Sequence, residues 1–150
     1  MSAYDSTIVT HLLAFGGNPN AKNGDGWTPL MFASSDGAKE IVQLLLDKGA
    51  DIDAIDNLGR TSIGFATHNN HIDVVKLLLD QRANPNIQSE SGTSPLIMAS
   101  TNGSIEIVRL LIEAKAEVNF KGEYDITALK GAESLHHSDI IDILKDAGAK

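Results

Sequence analysis

The sequence predicts an all-α solenoid of stacked helix-turn-helix units. Three observations carry this. Gly26, Gly59 and Gly92 stand 33 residues apart, and Asp125 continues the column. The same step takes Thr28 to Thr61, Ser94 and Thr127, and Ala33 to Ala66, Ala99 and Ala132. An apolar block, Ile41, Val42, Leu44, Leu45 and Leu46, recurs as Val74, Val75, Leu77, Leu78 and Leu79, and again as Ile107, Val108, Leu110, Leu111 and Ile112. A fixed period of this length marks a stack of small supersecondary units, each burying its apolar face against the next. Stacks of this kind usually present a surface to a partner instead of enclosing a reaction.

Each element of the unit follows in order. The hydroxyl residues Thr28, Thr61, Ser94 and Thr127 are placed to cap a helix, and Pro29 and Pro95 follow at the first helical position, where a missing N–H costs nothing. Leu30 and Ala33, like Leu96 and Ala99, keep one face of this first helix apolar, and the small alanine admits a close second helix. Gly37, Asn70 and Gly103 end it, since these residues tolerate a left-handed cap, and His136 holds that place in the last copy. The apolar block then forms a second helix, read as the buried spine. Turn-rich stretches, Ala50 to Gly59, Ala83 to Gly92 and Ala116 to Asp125, lead into the next unit.

The blocks Gly26-Trp27-Thr28-Pro29-Leu30-Met31-Phe32-Ala33, Gly59-Arg60-Thr61-Ser62-Ile63-Gly64-Phe65-Ala66 and Gly92-Thr93-Ser94-Pro95-Leu96-Ile97-Met98-Ala99 resemble the G-x-T-P-L-H-x-A signature of ankyrin repeats. Glu40 to Asp53 resembles the second half of that repeat. The resemblance covers residues 6 to 150 and implies an ankyrin-repeat solenoid whose hairpin tips and first helices line one concave face. It divides a single domain, 1–150, into a partial repeat at 1–24 and repeats at 25–57, 58–90, 91–123 and 124–150.

Departures from the pattern carry information. Arg82 and Lys115 replace the glycine that ends the second helix at Gly49 and Gly148, and a Cβ in a left-handed cap costs about 0.5 to 1 kcal/mol. Lys145 and Lys130 replace apolar residues of the earlier copies, as expected of a terminal cap. Ile8, Val9, Leu12 and Leu13 align with a second helix, but only Met1 to Asp5 precede them. Two readings stay open: sequence upstream has been removed, or His11, in place of a spine leucine, adapts this helix as a cap.

Composition bounds the function. The chain has 150 residues, of which 42% are hydrophobic and 5% aromatic, enough aliphatic content for one repeat core. No apolar run approaches the roughly 20 residues a membrane helix needs, so no membrane partner is expected. Cys 0 excludes disulfides and suits the cytoplasm; an exported or periplasmic location is the alternative if a targeting segment has been cut away. The net charge of -8, with 12 basic residues scattered among 20 acidic ones, argues against nucleic acid. It suits a basic protein surface, while the plainer reading is that the charges solvate the outer helices.

The search for chemistry returns little. His68 and His71, and His136 and His137, are spaced as a metal site could space them, but His71 falls where the ankyrin family commonly has histidine for structural reasons, and His136 ends a helix. Asp51, Asp53 and Asp56 crowd one turn, yet Ile55 stands where a calcium loop needs an oxygen ligand, so the turn is read as a solvated hairpin. Phosphate loops and a nucleophile elbow are absent from the sequence. No enzyme, cofactor, catalytic residue or metal site is therefore expected. Asn20, Asn86 and Asn119 occupy hairpin positions that are hydroxylated in some ankyrin proteins, and their ordinary role is hydrogen bonding.

Function is expected at positions the repeat leaves free. One column reads Trp27, Arg60, Thr93 and Ile126, and the hairpin-tip column two before it reads Asp25, Leu58, Ser91 and Tyr124. These are expected to be exposed, and Trp, Tyr and Arg are the types most enriched in binding hot spots. The competing reading is that Trp27 packs on the neighbouring hairpin. At the ends of the first helices Asp36, His68, Asn69, Thr101 and Asn102 resemble the variable contact positions of the family. The leading reading is a monomeric, non-enzymatic module that binds a protein partner through Trp27, Asp36, Leu58, Arg60, His68, Asn69, Thr101, Asn102, Tyr124 and Ile126. The alternative is a stoichiometric inhibitor or immunity protein that occludes the active site of a partner enzyme.

Overall fold

The computed structural model describes residues 17–150; the half repeat read around Ile8 to Leu13 lies outside them. Among the described residues eight α-helices follow in pairs: α1 (Pro29–Ser35) with α2 (Lys39–Asp47), α3 (Ser62–His68) with α4 (Ile72–Asp80), α5 (Pro95–Asn102) with α6 (Ile105–Glu113), and α7 (Ala128–Ser134) with α8 (Ser138–Asp146). Odd-numbered helices pack on odd-numbered neighbours and even on even, giving an inner and an outer layer.

The caps follow the residue chemistry. Thr28, Thr61, Ser94 and Thr127 accept hydrogen bonds from the N–H groups of Met31, Gly64, Ile97 and Lys130. Gly37, Asn70, Gly103 and His136 adopt φ of 72°, 58°, 76° and 60°, the left-handed stop the sequence assigns them. Arg82 and Lys115 sit at φ 69° and 67°, beside Gly49 at 84° and Gly148 at 92° in the same column.

The core is shared more evenly than the sequence implies. The outer helices were expected to be the buried spine, but they bury only one stripe each, such as Val42 and Leu45 of α2. The inner helices bury as much: Leu30, Met31, Ala33 and Ser34 of α1 are all enclosed. An inner helix has neighbours before it, after it and behind it, whereas an outer helix leaves one flank in water.

The hairpins are turns with sparse pairing. Each is closed by two backbone bonds: Asn23 N–H to Trp27 O with Gly26 N–H to Asn23 O, Asp56 to Arg60 with Gly59 to Asp56, Ser89 to Thr93 with Gly92 to Ser89, and Gly122 to Ile126 with Ile126 to Glu123; the only bridge among the described residues joins Ile55 and Thr61. Neighbouring hairpins are stitched by Asn57 N–H to Asp25 O and Glu90 N–H to Leu58 O. A second ladder runs below: Asn20, Asp53, Asn86 and Asn119 each accept from a backbone N–H in the following unit, at Asp51, Asn84, Glu117 and Lys150. The hydrogen-bonding role read for the three asparagines is thus seen directly.

Candidate functional site

Side-chain oxygens set the hairpins that carry the variable columns. Asn23 Oδ1 accepts from the N–H groups of Asp25 and Trp27, and Asp56 Oδ1 from those of Leu58 and Arg60. Ser89 Oγ accepts from Thr93 N–H more weakly, at 3.3 Å. The fourth member of this column is Gly122, which has no side chain to offer. There the hairpin tightens into a 3₁₀ turn, Glu123–Asp125, with Tyr124 and Asp125 at φ of 55° and 56°. The sequence signal was present as a 33-residue column, Asn23, Asp56, Ser89 and Gly122, just ahead of the glycine column.

Asp56 is therefore not the solvated hairpin acid expected from the sequence. Its side chain is fully buried and accepts from Arg60 Nε at 2.8 Å, with Arg60 Nη2 at 2.7 Å from the same oxygen. Burial opposes ionisation of this carboxyl, but the Arg60 side chain and the N–H groups of Arg60 and Leu58 outweigh it and hold it below the usual carboxylate range.

The expectation of exposure fails for two of the aromatic and basic candidates. Trp27 is half-buried, with its ring centroid 4.2 Å from that of Phe65 and 4.8 Å from that of Phe32. Arg60 lies over Phe65 at 4.8 Å and over Trp27 at 5.6 Å. The cause is Phe32 and Phe65, whose repeat column places an aromatic surface beneath the Trp27 and Arg60 column. Leu58, Tyr124 and Ile126 are exposed as expected, at 50%, 91% and 43%.

The polar candidates divide in the same way. Asp36, His68, Asn69 and Asn102 are exposed, but Asn69 Nδ2 donates to Ser35 O at 2.7 Å and Asn102 Nδ2 to His68 O at 3.4 Å, linking successive inner helices. Thr101 is half-buried and donates to Ile97 O. The histidines are occupied similarly: His71 Nε2 lies 2.9 Å from Ser35 O and His137 Nε2 3.0 Å from Thr101 O. Among the described residues no three His, Cys, Asp or Glu side chains are grouped to hold a metal ion.

Three depressions follow the face between successive hairpins. One, about 510 Å³, brings together Trp27, Leu58 and Arg60. A second, about 130 Å³, has Arg60 and His68 in its wall. The third, about 310 Å³, gathers Thr101, Asn102, Tyr124 and Ile126. Asp36 and Asn69 line none of them.

The profile of the family described as ankyrin repeats (3 copies) matches residues 1–89 and 69–150. The chain belongs to the ankyrin-repeat family. No curated protein matches the sequence. Ankyrin repeats are generally protein–protein interaction modules and are typically non-enzymatic. No helix among the described residues of this ankyrin-repeat chain is long and apolar enough to cross a membrane.

Proposed function

We propose that this chain is a non-enzymatic module that binds one protein partner along its hairpin and inner-helix face, with the units bounded as the sequence period divides them. The observation that carries the reading is the exposure of Leu58, Tyr124 and Ile126 beside two open depressions on one face. Large apolar side chains at hairpin tips contribute nothing to the repeat core, and such residues rimmed by polar neighbours mark interaction surfaces. His68, Thr101 and Asn102 supply polar groups to the depressions, Asp36 and Asn69 lie exposed beyond them, and the net charge of -8 favours a basic partner surface. Trp27 and Arg60 act mainly by holding the hairpin that presents Leu58. The absence of cysteine fits a cytoplasmic setting.

The test is affinity capture from native extract by the parent chain and by a Leu58→Ala, Tyr124→Ala, Ile126→Ala variant shown by circular dichroism to be folded. A protein retained by the first and lost by the second supports the reading. Equal retention by both overturns the assignment of this face. If the retained protein is an enzyme silenced at a one-to-one ratio, the module acts as an inhibitor.

A further inference from the structure

Met31, Gly64, Ile97 and Lys130 occupy one repeat column. Met31 is completely buried, packed with Ala54 at the end of its own unit and Phe65 of the following one. Ile97 is 6% exposed and reaches Gly122 at the end of its own unit, where the next hairpin begins. Gly64 sends nothing into the corresponding space. A Cβ placed there meets no atom of a neighbouring unit, only Thr61 Oγ1 at 3.5 Å. One repeat after Ala54 and Phe65 stand Ile87 and Met98, and both line the partly enclosed depression of about 130 Å³ beside Gly64. The depression is the room that a side chain fills in the units on either side.

Resting on the reading of this face as a partner-binding surface, we propose that this depression is a specificity pocket for one leucine-sized side chain, flanked by lysine or arginine, on an exposed loop of the partner. Phe65, Ile87, Pro95 and Met98 give it mainly apolar walls. An apolar cavity of about 150 Å³ stays dry and accepts a benzene-sized guest, so this volume matches a leucine side chain. The rim supplies the charge. Glu90, next to the lining residue Ser89, is exposed and forms no ion pair among the described residues. Arg60, the cationic side chain in the wall, is already paired with Asp56. Basic residues beside the inserted side chain therefore meet an uncompensated acid, and acidic ones are repelled. A glycine inside a helix is less favourable than alanine, so the vacancy at Gly64 stands against local helix stability.

The test uses isotope-labelled protein and three peptides, Ac-Gly-Lys-Leu-Lys-Gly-NH2, its alanine analogue Ac-Gly-Lys-Ala-Lys-Gly-NH2, and Ac-Gly-Glu-Leu-Glu-Gly-NH2, followed by nuclear magnetic resonance. The Lys-Leu-Lys peptide should shift the Gly64 amide and the Ile87 and Met98 methyls saturably, with affinity about tenfold above the other two. Gly64→Met should fill the pocket as Met31 does and abolish those shifts in a folded protein. Ile87→Phe, which places the Phe120 side chain's type one repeat earlier, fills it from the opposite wall should Gly64→Met not fold. Equal affinity for the leucine and alanine peptides, or undiminished binding in the filled variant, overturns the proposal. The wider reading fails separately: if Gly64→Met keeps a captured partner that the Leu58, Tyr124 and Ile126 variant loses, the pocket assignment falls and the binding face stands.

Discussion

Arg60 closes on Asp56 through two contacts to one carboxylate oxygen, Nε at 2.8 Å and Nη2 at 2.7 Å, while its guanidinium covers the rings of Phe65 and Trp27. The ion pair braces the hairpin from within, and the guanidinium it holds in place ties the hairpin to Phe65 of the inner-helix layer. Asp56→Asn keeps an oxygen for the N–H groups of Leu58 and Arg60, as Asn23 does in the preceding unit, and loses only the charge. It should cost about 1 kcal/mol, because Arg60 is partly in water. Asp56→Ala also orphans the two backbone donors and should cost about 2 kcal/mol or more. Urea unfolding of the two variants measures the difference.

The same pair predicts a pH dependence. The folded Asp56 carboxyl ionises more readily than the unfolded one, whose ordinary value is 3.8. Its contribution is therefore complete above that value and disappears as pH falls through the lower folded value. Thermal melts from pH 7 to pH 2 should show an acid loss of stability that is smaller in Asp56→Asn. Parallel curves for the two proteins would contradict the assignment.

Much of this fold was legible because its determinants are periodic and local. The capping hydroxyls, the left-handed stops and the 33-residue step each depend on one residue type at one place, and each is seen where the sequence put it. The state of Trp27 and Arg60 was not legible in their own column, because it is decided by Phe32, Phe65 and Asp56 from other columns. Asp56 itself was misread as solvated, since three acids in one turn look alike until their partners are known. The vacancy at Gly64 becomes meaningful only when Ile87 and Met98 are seen to leave it open.

The ladder beneath the hairpins contains one weak rung. Asn20 and Asn119 not only accept but also donate from Nδ2, to Gly49 O and Gly148 O at 3.0 Å each, and Asn86 does so to Lys115 O at 3.5 Å. Asp53 holds the equivalent place and accepts from Asn84 N–H, but a carboxylate has no donor for the carbonyl of Arg82. Asp53→Asn should add that bond and stabilise the chain by about 1 kcal/mol. Arg82→Gly should relieve the left-handed cap and add about 0.5 to 1 kcal/mol. The two sites share one turn, so the double variant is measured as well as the single ones. A melting temperature that stays level or falls in either single variant removes the corresponding claim.

Ser34, Thr67 and Ser100 form a further column, each fully buried in an inner helix with a hydroxyl that has no hydrogen-bond partner. An unsatisfied buried hydroxyl costs about 1 to 3 kcal/mol relative to an apolar group of the same shape. Ser34→Ala and Ser100→Ala should therefore leave stability unchanged or raise it, by up to about 1 kcal/mol after the loss of packing is counted. Calorimetry decides this, and a drop of more than about 1 kcal/mol would mean that the hydroxyls bond an internal water or a backbone carbonyl.

Stability and binding should separate along the hairpin face. Trp27 is packed between Phe32 and Phe65 and belongs to the small cluster with Met31 and Ala54, so Trp27→Ala should cost about 2 to 3 kcal/mol, somewhat less than for a fully enclosed ring. Leu58 and Tyr124 are mainly in solvent, and their replacement by alanine should move stability by less than about 0.5 kcal/mol. Loss of binding in Trp27→Ala would therefore mix a disturbed hairpin with a lost contact. Loss of binding in Leu58→Ala or Tyr124→Ala, with an unchanged melt, reports the contact alone. Should Trp27→Ala melt with the parent chain, the aromatic cluster is not what holds the first hairpin, and Trp27 becomes a contact residue on the same footing as Leu58.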